Sequence, residues 1–198
     1  MISVIKLRCA IGWLAILLPW VVVLLLGGFP PSISSTYYTW EAGAVFMIVL
    51  GSASILLMYY DGYDKVDDIL NTITGVFGLM ICLFPCATDT LKYVGTFQVP
   101  VNISGFIHNL SAVVFFALLS YNSLFQFTKH GDIEMTKEKR TRNIIYRICG
   151  IGMLSSFLIL LLPYFYVKVW LVEAIALLFF GVSWLTKANA YKWLFADK

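Results

Sequence analysis

The chain has 198 residues, of which 60% are hydrophobic and 13% charged, with a net charge of +3 and a mean hydropathy of +0.84. A water-soluble domain of this length leaves too much surface wet to hide so much apolar side chain, and that excludes an ordinary soluble enzyme or carrier. Fourteen basic residues spread along the chain are too sparse for a nucleic-acid surface, so no nucleic-acid partner is expected.

Lipid is the solvent this composition fits. A hydrocarbon core of about 30 Å takes roughly 20 apolar residues per helical span. Six such runs predict an all-α, polytopic bundle of six transmembrane helices in a single domain covering 1–198: Cys9–Gly28, Glu41–Tyr60, Asp67–Cys86, Asn102–Phe127, Asn143–Leu162 and Tyr166–Lys187. The runs are continuous rather than alternating, which argues against a β-barrel. The first has no small-residue cleavage site after it and is too long for a signal h-region, so it is expected to stay on the chain.

Between the first two runs, "GFPPSISSTYYTW" (Gly28–Trp40) breaks the helix with its Pro pair and offers Tyr and Trp to the lipid–water interface. The turn after the second run, "DGYDKVDD", gathers Asp61, Asp64, Asp67 and Asp68. It lacks the order of a calcium loop and reads as a solvated helix end paired with Arg140, Arg142 and Arg147. In the third run, Gly75 and Gly78 share a face with Asn71 and Cys82, and Gly150, Gly152, Ser155 and Ser156 recur in the fifth; small residues of this kind let helices approach closely in lipid. The polar stretch Ala87–Val101 forms an outer loop, and Thr128–Arg142 the longest inner one. Cys9, Cys82, Cys86 and Cys149 read as small buried residues rather than a disulfide framework.

The fourth run carries Ser104, His108, Ser111, Phe115 and Asn122 at the spacing of one helical stripe. A polar stripe turns away from lipid, so His108 is expected to face the bundle interior, roughly 9 Å below the outer boundary. Glu173 in the sixth run reaches a depth of roughly 10 Å by the same rise. Glu41 and Asp89 lie at that outer side too. A buried carboxylate and a neighbouring imidazolium keep each other charged, so His108 is expected within hydrogen-bond reach of a carboxylate, Glu173 before Glu41 or Asp89. Ligand-binding candidates are Ser104, His108, Ser111, Glu173 and Glu41. No spacing here matches a nucleophile elbow, a metal-ligand set or a phosphate loop, and neither a cofactor nor a metal is expected.

"Pro31-Ser-Ile33-Ser34-Ser-Thr36" followed by an acidic residue opening the second helix resembles the DRAM/Frag/Sfk-type six-helix membrane proteins, whose pattern is close to P-x-I-S-D-T-G. "His108-Asn-Leu-Ser-Ala112" with Phe115 and Phe116 resembles their fourth helix, and "CLFPC" (Cys82–Cys86) is similar to a run in a neighbouring group of uncharacterised bacterial six-helix proteins. Ser35, Tyr37 and Trp40 depart from the pattern. The resemblance implies a polytopic protein linked to membrane lipids, in lipid remodelling, lipid distribution or regulation of a partner, and it implies no catalytic residue.

Three functions compete. The first is a non-enzymatic protein that binds a lipid or a partner protein through a polar pocket in the outer half of the bundle. The second is an intramembrane lipid-remodelling hydrolase with His108 as base and Glu41, Asp89 or Glu173 orienting it or holding a metal. The third is a subunit of an oligomeric pore. Expected partners are therefore membrane lipids, a membrane partner protein or further copies of this chain, and the expected location is the plasma (inner) membrane if the chain is bacterial. Twelve of the fourteen basic residues fall on the segments that an N-in, C-in arrangement places inside, and only Lys92 and Lys168 outside. A His130→Cys variant labelled with membrane-impermeant maleimide should react only from the cytoplasmic side; labelling from outside overturns that orientation.

Overall fold

The computed structural model describes residues 4–130, 135–159 and 168–190. Six helices form: α1 Val4–Leu26, α2 Trp40–Met58, α3 Lys65–Leu83, α4 Val101–Tyr121, α5 Lys137–Ile159 and α6 Val169–Lys187. A 3-10 turn, Ser34–Tyr38, follows α1, and a π turn, Asn122–Gln126, extends α4. Residues 160–162 of the expected fifth span and 166–167 of the sixth lie outside the described residues, as do Lys192 and Lys198.

Among the described residues, five helices (all but α5) are long and apolar enough to cross a membrane. The α5 helix opens on "KEKRTR", residues expected to belong to the inner loop; it starts at Lys137 rather than Asn143 because Glu138 sits in its first turn and no helix breaker stands before Asn143. The Ala87–Val101 stretch, read as a plain loop, holds a two-stranded antiparallel hairpin, β1 Tyr93–Val94 and β2 Val99–Pro100. Its tight turn uses Gly95 at φ 73°, a backbone state that glycine adopts without strain.

Each helix packs on the next in sequence, and α6 returns onto α1, so the bundle closes as a ring. Its core runs through Ile11, Leu18, Phe46, Phe115, Leu119, Met153, Phe180 and Trp184. Up-and-down order gathers the starts of α1, α3 and α5 with the ends of α2, α4 and α6. We call this the basic end, since Arg8, Lys65, Lys129, Lys139, Arg142 and Lys187 all lie there.

The polar face of α3 is buried. Asp67, Asn71, Thr74, Gly75, Gly78 and Cys82 recur at helical spacing and all turn inward. Asp67 is not the solvated residue expected: it accepts from the Tyr63 N–H at 2.9 Å and from the Asn71 amide at 2.8 Å. Asn71 in turn accepts from the Asn122 amide at 2.9 Å. A turn of backbone folds over the carboxylate and removes it from water, and the ladder supplies the donors that burial demands. Asp64 instead caps α3, accepting from the Asp67 N–H at 2.9 Å, and pairs with Lys129 at 2.7 Å. That ammonium, with the Asp67 amide, holds the Asp64 carboxyl below its usual range. Arg142, expected to pair with this acidic turn, reaches Asn189 instead.

Gly75 and Gly78 sit where α3 meets α2, as expected. A side chain on Gly75 would run into the Ser54 carbonyl and Met58, and one on Gly78 into the Ser54 hydroxyl and Phe115. Overfilling such a contact typically costs 1–3 kcal/mol, so Gly78→Leu should lower the thermal midpoint of the detergent-solubilised protein by about 5 °C or more. An unchanged midpoint would refute the packing.

Candidate functional site

The end of the bundle opposite the basic one is built around a broken helix. Pro85 has no N–H to give to the Ile81 carbonyl four residues back, and α3 stops at Leu83. The last carbonyls of a helix have no partner within it, and at membrane depth no water replaces them. The carbonyls of the segment just past the helix end are taken by three side chains from other elements. His108 Nδ1 donates to the Phe84 carbonyl at 2.8 Å, Ser104 Oγ to the Pro85 carbonyl at 2.8 Å and the Tyr38 hydroxyl to the Cys86 carbonyl at 2.5 Å. Burial, then Cys86 and Tyr37, push the Tyr38 phenol up to about 12, so it stays a donor at neutral pH.

A carbonyl only accepts, so the proton of a neutral imidazole is on Nδ1 and the Nε2 lone pair is left over. His108 is 3% exposed and points inward, as the stripe predicts. Its partner is not the expected one: among the described residues, no carboxylate hydrogen-bonds it. Glu173 accepts from the Ile33 N–H at 2.5 Å and from the Ser34 hydroxyl at 3.2 Å. The ring order explains this, because α5 stands between α4 and α6, which barely touch.

Glu173 anchors the segment "PSISST". That segment folds into a self-capped turn, in which Ser35 N–H donates to Ser32 Oγ at 3.0 Å, Ser35 Oγ to the Ser32 carbonyl at 2.7 Å and Thr36 Oγ1 to the Ile33 carbonyl at 2.6 Å. The first N–H groups of a helical turn lack internal acceptors, and the Glu173 carboxylate supplies one. The Trp170 backbone N–H donates to the Pro31 carbonyl at 3.1 Å and completes the clamp.

Two cavities meet at this clamp. One, about 60 Å³, is apolar apart from Ser34 and Glu173, and runs inward past Leu18, Phe46, Leu50, Phe115 and Leu177. The other, about 240 Å³, is bordered by Ser32, Ser34, Cys86, His108, Asn109 and Glu173. They share Ser34, Ala112, Phe157 and Glu173 in their walls. Asn109 and Val113, one turn apart on α4, border the polar cavity and are exposed, Val113 by 62%, so it opens sideways from the bundle. Among the described residues, neither Lys nor Arg lines either cavity.

The structure thus brings His108, Glu173 and the serines of the 3-10 turn to one cavity and leaves the rest elsewhere. Glu41 and Asp89 are exposed and border neither cavity. Ser104 and Ser111 are buried on the α4 stripe, Ser104 spent on the Pro85 carbonyl, and Asn122 belongs to the ladder at the basic end. Sequence reasoning missed Ser32, Ser34, Asn109 and Cys86. The signal for Ser34 was its place in the run of Ser and Thr after a Pro pair, which marks a capped turn. Among the described residues, no three His, Cys, Asp or Glu side chains converge as a metal-ligand set.

Five long apolar helices in a closed ring define the class: a multi-pass membrane protein. No known protein family, curated protein or solved structure matches this chain.

If Glu173 acts on the 3-10 turn and not on His108, a double-mutant cycle should show it. The Glu173→Gln and Ser34→Ala pair should couple by about 1 kcal/mol in unfolding stability, and Glu173→Gln with His108→Ala by less than about 0.5 kcal/mol. The reverse ranking would restore the His–Glu pair.

Proposed function

We propose that this protein holds an amphipathic lipid in the cavity at the Glu173 end without transforming it, with α5 serving as a sixth span and the basic end facing the cytoplasm. The observation that carries this reading is the meeting of a polar cavity with an apolar one at Ala112 and Glu173. A site for a small molecule is largely apolar with a few polar groups that fix orientation, and the joined cavities have that make-up. The acyl portion points toward Phe46, Leu50, Phe115 and Leu177, and the headgroup lies beside His108, Asn109 and Glu173.

The mouth selects by hydrogen-bond role. The Glu173 carboxylate and the spare His108 nitrogen accept, and no cation lies among the described residues of the walls. A headgroup that donates, an ammonium or a hydroxyl, satisfies them; a bare phosphate does not. The sideways opening along Asn109 and Val113 supports entry from the membrane rather than from water. Lipid binding of this kind agrees with the lipid-linked role that the DRAM/Frag/Sfk-type resemblance implies.

Ala112 lies in the wall of both cavities, so Ala112→Phe should close the junction without touching the clamp. Native mass spectrometry of the gently extracted wild type should show a retained lipid, and the variant should lose about tenfold in occupancy with its thermal midpoint kept. A wild type without lipid, or a variant that retains it fully, rejects the reading.

A further inference from the structure

The basic end carries an electrostatic imbalance of its own. Arg8 of α1, Lys139 and Arg142 of α5 and Lys187 of α6 are each half-buried there. Shared partners tie them together. Arg8 donates to the Lys187 carbonyl at 3.2 Å and to the Tyr60 hydroxyl at 3.1 Å. Lys139 donates to the Phe127 carbonyl at 2.8 Å, while the Lys187 ammonium lies 4.6 Å from the centre of the Phe127 ring. Arg142 donates to Asn189, just past the end of α6, at 2.5 Å. Phe127 in turn packs edge-on against Tyr146 and Trp184, each at 5.4 Å, and Tyr60 packs on Trp184. Arg8 over Tyr60, Lys139 over Tyr146 and Lys187 over Phe127 thus share one aromatic floor, with Arg142 beside it.

None of these contacts neutralises a charge. Among the described residues, the one ion pair is Lys129–Asp64, and it includes none of the four. The buried Asp67 carboxylate attracts the Lys187 ammonium through space, but its hydrogen bonds go to Tyr63 and Asn71. Two donors are left over as well: Nε of Arg8 and Nε of Arg142 are buried with no acceptor. Four like charges, partly withdrawn from water and sharing one floor, repel each other more strongly than they would in solvent. Burying two guanidinium N–H groups unpaired adds a desolvation cost. A ligand that brings negative charge and several acceptor oxygens answers both.

We propose that this cluster binds a phosphate group. A tetrahedral phosphate offers acceptors at the spacing of a guanidinium fork, and two arginines with two lysines are a suitable donor set for it. The cluster sits at the ends of long apolar helices, the level at which the phosphate layer of a membrane would lie. The same chemistry also fits a soluble phosphate arriving from the aqueous side. This site is independent of the cavity at the Glu173 end, and either stands if the other fails.

The test uses the full chain in nanodiscs of phosphatidylcholine alone, with phosphatidic acid added, or with inorganic phosphate in the buffer at constant ionic strength set with chloride. The thermal midpoint is read in each. At least one of the two probes should raise it by several degrees, as expected for a ligand that binds only the folded state. A rise with phosphatidic acid alone assigns the site to a lipid headgroup; a rise with inorganic phosphate as well assigns it to phosphate from either source. Arg142→Gln and Lys139→Gln should each abolish the rise, and in phosphatidylcholine alone should keep or increase the midpoint, because repulsion is relieved. Arg8→Gln serves as the third variant should either α5 variant fail to fold. The proposal is overturned by no rise with either probe, by a rise that survives in these variants, or by variants that are equally destabilised with and without the probes.

Discussion

Carbonyl oxygens stranded at membrane depth are the constraint on which this structure turns. Pro85 follows the end of α3 at Leu83, and in hydrocarbon each unsatisfied backbone group costs several kcal/mol. The remedy comes from two directions: α4 presents Ser104 and His108, and the turn after α1 presents Tyr38. Those three donors fix the angle at which α4 and the turn approach the end of α3. With the turn held there, its own unpaired N–H groups need an acceptor, and Glu173 reaches in from α6. A single helix break thus links α1, α3, α4 and α6 at one end of the bundle.

The same chain of requirements leaves a space. Donors drawn toward the end of α3 pull α4 to one side, and Glu173 draws α6 toward the turn on the other. The ring closes through α5, and α4 and α6 touch only lightly, through the edge-on pair Phe115–Phe180 at 6.4 Å, while Phe157 and Ala112 line the space toward Glu173. Small residues elsewhere tighten the bundle: α2 meets α3 at Gly75 and Gly78, and α6 meets α1 at Gly12 and Gly181. Close packing on α1–α2–α3 and α1–α6 and loose packing between α4 and α6 are two outcomes of one sequence. In lipid, close approach follows the small residues, whereas apolar side chains alone gain little from each other.

Much of this was legible in the sequence. Apolar runs located the helices to within a few residues, and the stripe Ser104–His108–Ser111 set the direction in which His108 points, because lipid leaves a polar stripe one way to turn. Gly75 and Gly78 announced their contact for the same reason. The partner of His108 was not legible by depth, since Glu173 at a similar level serves a different element. Depth is a local property of one helix, whereas pairing depends on ring order, which no single helix encodes. The informative residue was Pro85, whose missing N–H predicts stranded carbonyls nearby. Asp67 misled for a related reason. Its run of acidic neighbours reads as solvated, yet Asn71, one turn on, supplies the amide that makes burial tolerable.

The two ends of the bundle are opposite in chemical character, and that contrast follows from where the charges can be neutralised. At the Glu173 end, a carboxylate and an imidazole nitrogen border a cavity with no cation among the described residues of its walls. At the basic end, four cations gather around aromatic rings and form no ion pair among the described residues. Had the chain evolved only to hold itself together, pairing opposite charges within each end would have been the simpler arrangement, since a partly buried charge is costly without its counterion. Instead, among the described residues, Glu173 borders its cavity without an ion pair, and Arg8, Lys139, Arg142 and Lys187 form none although Asp64 and Asp67 lie at their end. A membrane presents donor-bearing headgroups and a phosphate plane at its surfaces. On the lipid and phosphate proposals, the Glu173 end would take a group that donates and the basic end a phosphate.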